Sequence, residues 1–159
     1  MESQINNLTK TLALKSSTNE AINILIVDDD LLTLKSLEII LTKLNYKTST
    51  AHNGEEALVL AKNQIFDLIV SDLSMPFMNG NELVKKVRKM PEYKYTPFIF
   101  LSGNNEEETW VKNLEDGADD FITKPFNRSI LTSKIKANLK KADLTCIIHK
   151  NKQNDVNIL

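Results

Sequence analysis

The chain has 159 residues, 42% of them apolar and 26% charged, with a formal net charge of −1. That is enough for one domain with one core, and the near-neutral balance gives no support to a nucleic-acid or membrane surface. The one cysteine, Cys146, excludes an internal disulfide and suits a reducing compartment; with neither a membrane-length apolar run nor a signal-like leader, the reading is cytoplasmic.

Residues 1–20 read as a polar leader or linker, in which Ile5, Leu8 and Leu12 fall at near-helical spacing. Either a short amphipathic helix or a frayed end fits that pattern. Ile22 to Val27 is a nearly all-apolar strand, as expected of one covered on both faces. It runs into Asp28-Asp29-Asp30. Asp30 is placed to cap the next helix, whose Leu34, Leu37, Ile40, Leu41 and Leu44 form an apolar face. Tyr46 to Ala51 is a short strand, Asn53-Gly54 a turn, and Glu56 to Lys62 a helix with Ala57, Leu58 and Ala61 inward. His52 has no partner in the sequence and reads as a surface residue.

Phe66 to Val70 is an apolar run too short for a buried helix, and it ends on Ser71-Asp72. Pro76 resets the backbone and Gly80 opens a helix through Met90, with Leu83, Val84 and Val87 inward. Thr96 to Leu101 is a buried strand leading to Ser102. Glu106-Glu107-Glu108 favours a helix start, Gly117 its end, and Val111, Leu114 and Ala118 its inward face, with Trp110 toward the edge. Asp119 to Thr123 is a mixed strand followed at once by Lys124-Pro125-Phe126. Asn127 caps a last helix with Ile130, Leu131, Ile135 and Leu139 inward. Residues 143–159 read as a C-terminal tail or the start of a linker, and His149 within them receives no role. The globular domain is thus expected over residues 21–142.

Five strands alternating with five helices demand a parallel sheet with right-handed crossovers and helices on both faces. The expected class is α/β, a five-stranded doubly wound (βα)5 sheet. All strand ends of one polarity then share one edge, and Asp28, Asp29, Asp72, Ser102 and Lys124 stand at those ends on four strands. Three carboxylates with a lysine and a hydroxyl suit a hard divalent cation and a phosphoryl group. No Cys/His cluster offers a site for a softer metal, and no Gly-rich loop for a nucleotide.

These marks resemble a two-component response regulator receiver domain, a flavodoxin-like signalling module. They are the acidic pair after the first strand, Asp72 before Met75-Pro76 and Gly80, Ser102 after the fourth strand, and Lys124-Pro125-Phe126 after the fifth. The match runs from Ile22 to Lys141. The resemblance implies that Asp72 is the phosphoacceptor for a sensor histidine kinase or phosphotransfer protein. It implies Mg²⁺ held by Asp29, Asp72 and the Ser74 backbone carbonyl, with Asp28 acting through water or as a weak ligand. Lys124 would pair with the phosphoryl oxygens and Ser102 would bond one of them. The Lys124–Pro125 bond is expected to be cis. Ser102 and Phe121, where many relatives have Tyr, would form the switch that alters the face of the fourth helix, fifth strand and fifth helix, for a partner, an output domain or a homodimer. Ser74 and Asn104 would flank the phosphoryl group. Such a domain is a signalling phosphoacceptor and not an enzyme in the usual sense. The alternatives are a degenerate receiver that only makes protein contacts, and a metal-dependent phosphatase on a similar sheet. The latter's Asp-x-Asp after the first strand is not matched by the adjacent Asp28-Asp29.

Overall fold

The computed structural model describes residues 20–103 and 107–156; all but the last residue of the leader expected over residues 1–20, and Asn104, lie outside them. The strands are β1 (Asn23–Val27), β2 (Lys47–Ala51), β3 (Leu68–Asp72), β4 (Phe98–Ser102) and β5 (Asp120–Thr123). The helices are α1 (Leu31–Lys43), α2 (Gly54–Asn63), α3 (Gly80–Arg88), α4 (Glu107–Glu115) and α5 (Arg128–Val156), with one 3₁₀ turn at Pro91–Tyr93. The five strands form one parallel sheet in the order β2-β1-β3-β4-β5. This is the doubly wound α/β arrangement that the alternation of elements demands.

Strand side chains alternate between faces, so each apolar strand feeds two cores. Leu25, Val27, Ile69, Phe98 and Phe100 pack on one face with Ala57 and Ala61 of α2 and Leu83, Val84 and Val87 of α3. Ile24, Ile26, Leu68, Val70, Ile99 and Leu101 pack on the other with Leu34, Leu37 and Leu41 of α1 and Leu131 and Ile135 of α5. The starts of α1, α2, α3 and α5 carry the caps their sequences offer. Asp30 accepts from the amides of Leu32 and Thr33, Asn53 from Glu56, and Asn127 from Ile130. Asn79 and Glu82 close a reciprocal capping box at α3.

Three readings of the sequence change, the first being Ile130, expected inward on the last helix but 48% exposed. The last helix does not stop near residue 142 but continues to Val156. Its polar composition hid this, because a helix past the sheet needs no apolar stripe. His149, which received no role, lies against the Tyr95 ring with centroids 4.6 Å apart. In α4 the inward side is also different: Val111 and Leu114 are 58% and 44% exposed, while Asn113 is buried at 1%. A nine-residue helix offers too few turns for an apolar face to be read from spacing alone.

Candidate functional site

Register builds the site. Val27 lies beside Ser71 in the β1–β3 pair, so Asp28 and Asp72, each one residue further on, reach the same level. Asp72 lies beside Leu101 in the next pair, which sets Ser102 one step beyond. Ser102 lies beside Thr123, and Lys124 follows. The order of the sheet reverses between β1 and β3, and the crevice at such a switch point is where open α/β sheets hold ligands.

The side chains converge as the register requires. One carboxylate oxygen from each of Asp28, Asp29 and Asp72 lies within 4.8 Å of the others. Asp28 is fully buried, Asp72 nearly so, and Asp29 exposed. The Lys124 ammonium donates to Asp28 Oδ2 at 2.9 Å and stands 3.4 Å from Asp72 Oδ1. Asp28 Oδ1 accepts the Asp30 amide at 2.9 Å, and Asp72 Oδ1 accepts the Ser74 amide at 3.4 Å. Ser102 is buried at the end of β4, and its carbonyl accepts the Lys124 amide at 2.7 Å. The Lys124–Pro125 bond is cis, as expected.

The electrostatics are those of a crowded anionic site. Burial, then the charge of Asp28, raises the Asp72 carboxyl above its ordinary value, against the opposing pull of Lys124. Burial alone would lower the Lys124 ammonium. The hydrogen bond to Asp28 and the charges of Asp72 and Asp28 outweigh it, so the net shift is upward.

The donor set fits a hard cation. Oxygens around a Mg²⁺ ion sit about 3–4 Å apart, close to the spread of these three carboxylates. Lys124 and the Asp30 amide already occupy one oxygen each of Asp28. That leaves Asp29 and Asp72 the freer pair of ligands.

Gly80 seats the loop after Asp72. A Cβ there would lie 2.6 Å from the Asp72 carbonyl oxygen and 2.6 Å from Phe100 Cε1. Between them, Phe77 is 97% exposed with φ +66°, a feature the sequence analysis did not single out. Phe121 lies half-buried on β5 under Trp110.

Comparison with known proteins agrees with this geometry. The family described as "Response regulator receiver domain" matches residues 24–136. The chain belongs to the response regulator receiver family. Receiver domains are phosphoacceptor signalling modules that partner with sensor histidine kinases, and this one carries the acidic pocket typical of their Mg²⁺ site. The receiver is 37% identical over 134 residues to "Transcriptional regulatory protein ResD" of Bacillus subtilis, covering 84% of this chain and 54% of that protein. It is 39% identical over 120 residues to "Nisin biosynthesis regulatory protein NisR" of Lactococcus lactis, covering 76% and 51%. The chain thus spans about half the length of the curated relatives it matches. Among solved structures, the chemotaxis response regulator CheY4 of Vibrio cholerae superposes with a TM-score of 0.73 at 34% identity, covering 75% of this chain and 99% of that one. A CheY-like receiver from Methanospirillum hungatei gives 0.74 at 34% identity, covering 79% and 99%. Among the described residues, no helix is long and apolar enough to cross a membrane.

Proposed function

We propose that Asp72 accepts a phosphoryl group from a phosphohistidine on a sensor histidine kinase or phosphotransfer protein. The observation that supports this is the convergence of three carboxylates with one lysine that bridges two of them. An Asp72 carboxylate oxygen attacks phosphorus, the N–P bond breaks with its electron pair returning to the imidazole, and an acyl phosphate remains.

Asp29, Asp72 and the Ser74 carbonyl would hold Mg²⁺, with Asp28 as a weak or water-bridged ligand. Bound there, the ion offsets the charge on the phosphoryl oxygens. Lys124 does the rest of that work. Its ammonium is within reach of Asp72 and balances charge that would otherwise repel an incoming phosphate. Ser102, buried at the end of β4, would bond a phosphoryl oxygen through its hydroxyl once one is present. Phe121, two residues before Thr123, would turn with it and carry the change to the face of α4, β5 and α5. That face leaves Val111, Leu114 and Ile130 exposed, which supports a second copy of the receiver as one occupant.

Two measurements test this reading. Calorimetric titration with Mg²⁺ should show binding that Asp29→Ala and Asp72→Ala each weaken at least about tenfold, with a smaller loss for Asp28→Asn. Light scattering with Mg²⁺ and beryllofluoride, an acyl-phosphate mimic, should show a shift from monomer to dimer. An unchanged mass with beryllofluoride bound would exclude the dimer and leave the site assignment standing.

A further inference from the structure

The Trp110 indole lies flat on the Phe121 ring, with centroids 4.1 Å apart and planes at 29°. Lys134 of α5 braces the same ring. Its Nζ stands 5.2 Å from the Phe121 centroid, donates to the Phe121 carbonyl at 2.7 Å and donates to Asp120 Oδ1 at 2.8 Å. One residue of β5 is therefore gripped from both α4 and α5.

The rest of α4 does not favour the position this grip enforces. Asn113, three residues beyond Trp110, is buried, and neither of its amide atoms has a hydrogen-bond partner among the described residues. A buried unpaired amide is costly. Val111 and Leu114, which would gain from burial, face solvent. In this short helix the local pattern and the adopted seat conflict, and the Trp110 stack is the favourable contact that offsets the conflict. The grip also touches the phosphoryl site. Phe121 lies on β5, which ends one residue before Lys124; Lys124 contacts Asp28 and Asp72, and Thr123 pairs with Ser102.

We propose that Trp110 is a latch on the signalling face. Its stack on Phe121 holds α4 in a resting seat that Asn113, Val111 and Leu114 oppose, and so sets how readily a group on Asp72 releases that face. This inference rests on the reading of Asp72 as phosphoacceptor. Trp110 is here a positioning residue, since it touches none of the reacting atoms.

The latch makes two predictions of opposite sign, because a group that binds the released state draws on the balance between the two. Trp110→Ala removes a stack and should tighten beryllofluoride binding in Mg²⁺ by about two- to tenfold. Asn113→Ala relieves the resting seat and should weaken binding by a similar factor. Trp110→Phe keeps an aromatic partner and should bind as the unaltered protein does. Fluorine NMR titration reads the affinity without relying on tryptophan, and thermal melts of each free protein check the fold. A purely structural role would give Trp110→Ala equal or weaker binding, which overturns the latch. Tighter binding by Asn113→Ala overturns it too. If Trp110→Ala does not fold, Trp110→Leu and Asn113→Ala carry the same two signs. Failure of the unaltered protein to bind beryllofluoride would overturn the phosphoacceptor reading, and the latch with it; binding that the variants leave unchanged would overturn the latch alone.

Discussion

Lys124 stands closer to Asp28 than to Asp72: its ammonium is 2.9 Å from Asp28 Oδ2 and 3.4 Å from Asp72 Oδ1. In the unphosphorylated domain the lysine therefore serves first as the counter-charge of a fully buried carboxylate. Removing one partner of a buried pair leaves the other charge uncompensated. Lys124→Met should lose about 3 kcal/mol of stability in metal-free buffer, a loss that Mg²⁺ partly restores. It should also slow phosphorylation by about a hundredfold, the scale seen when a donor to a developing oxyanion is removed. Urea unfolding with and without Mg²⁺, beside phosphorylation rates with acetyl phosphate, measures both.

Asp72 is held protonated more readily than a free carboxyl, first by burial and then by the charge of Asp28. A carboxyl whose folded-state pKa is raised favours folding when protonated and opposes it when ionised. The penalty is absent below the unfolded value near 3.8 and grows as pH rises through the higher folded value. Asp72→Asn stands in for the protonated acid. It should be more stable than the unaltered domain in metal-free buffer at neutral pH, with the advantage shrinking as pH falls toward 3.8. Melting temperatures across that range check the sign.

Gly80 is required by space. A methyl group there would meet the Asp72 carbonyl and the Phe100 ring, both at 2.6 Å. Neither backbone nor a core aromatic gives way cheaply. Gly80→Ala should cost about 1–3 kcal/mol and, because it pushes on the Asp72 peptide, should also slow phosphorylation. Urea unfolding and the acetyl phosphate rate test the pair of effects together.

Phe77 occupies left-handed backbone while burying nothing. A bulky side chain pays for that conformation, and Asn tolerates it better. Phe77→Asn should raise stability by up to about 1 kcal/mol, with the acetyl phosphate rate unchanged. Chemical denaturation beside the same rate assay decides it.

Most of the site was legible because the chemistry sits at strand ends, and apolar runs that stop abruptly mark those ends. Asp28, Asp72 and Ser102 follow such runs and Lys124 follows a mixed one, and parallel register then brings them together without further information. The seat of α4 was not legible. Spacing placed Val111 and Leu114 inward, but the Trp110–Phe121 stack and the approach to β5 decide otherwise, and both are tertiary contacts. The Tyr95–His149 contact joins residues 54 positions apart in the sequence, on a stretch whose polar composition reads as a tail. Phe77 escaped notice because nothing in the sequence distinguishes an aromatic on a loop surface from one folded into the core.

Asp72 is proposed as the phosphoacceptor of a Mg²⁺-dependent site. Intact mass and peptide mapping after incubation with acetyl phosphate test it most directly. One added phosphoryl group is expected, located on Asp72, absent in Asp72→Asn and absent when Mg²⁺ is chelated. No addition to the unaltered domain, or the same addition in Asp72→Asn, would contradict it.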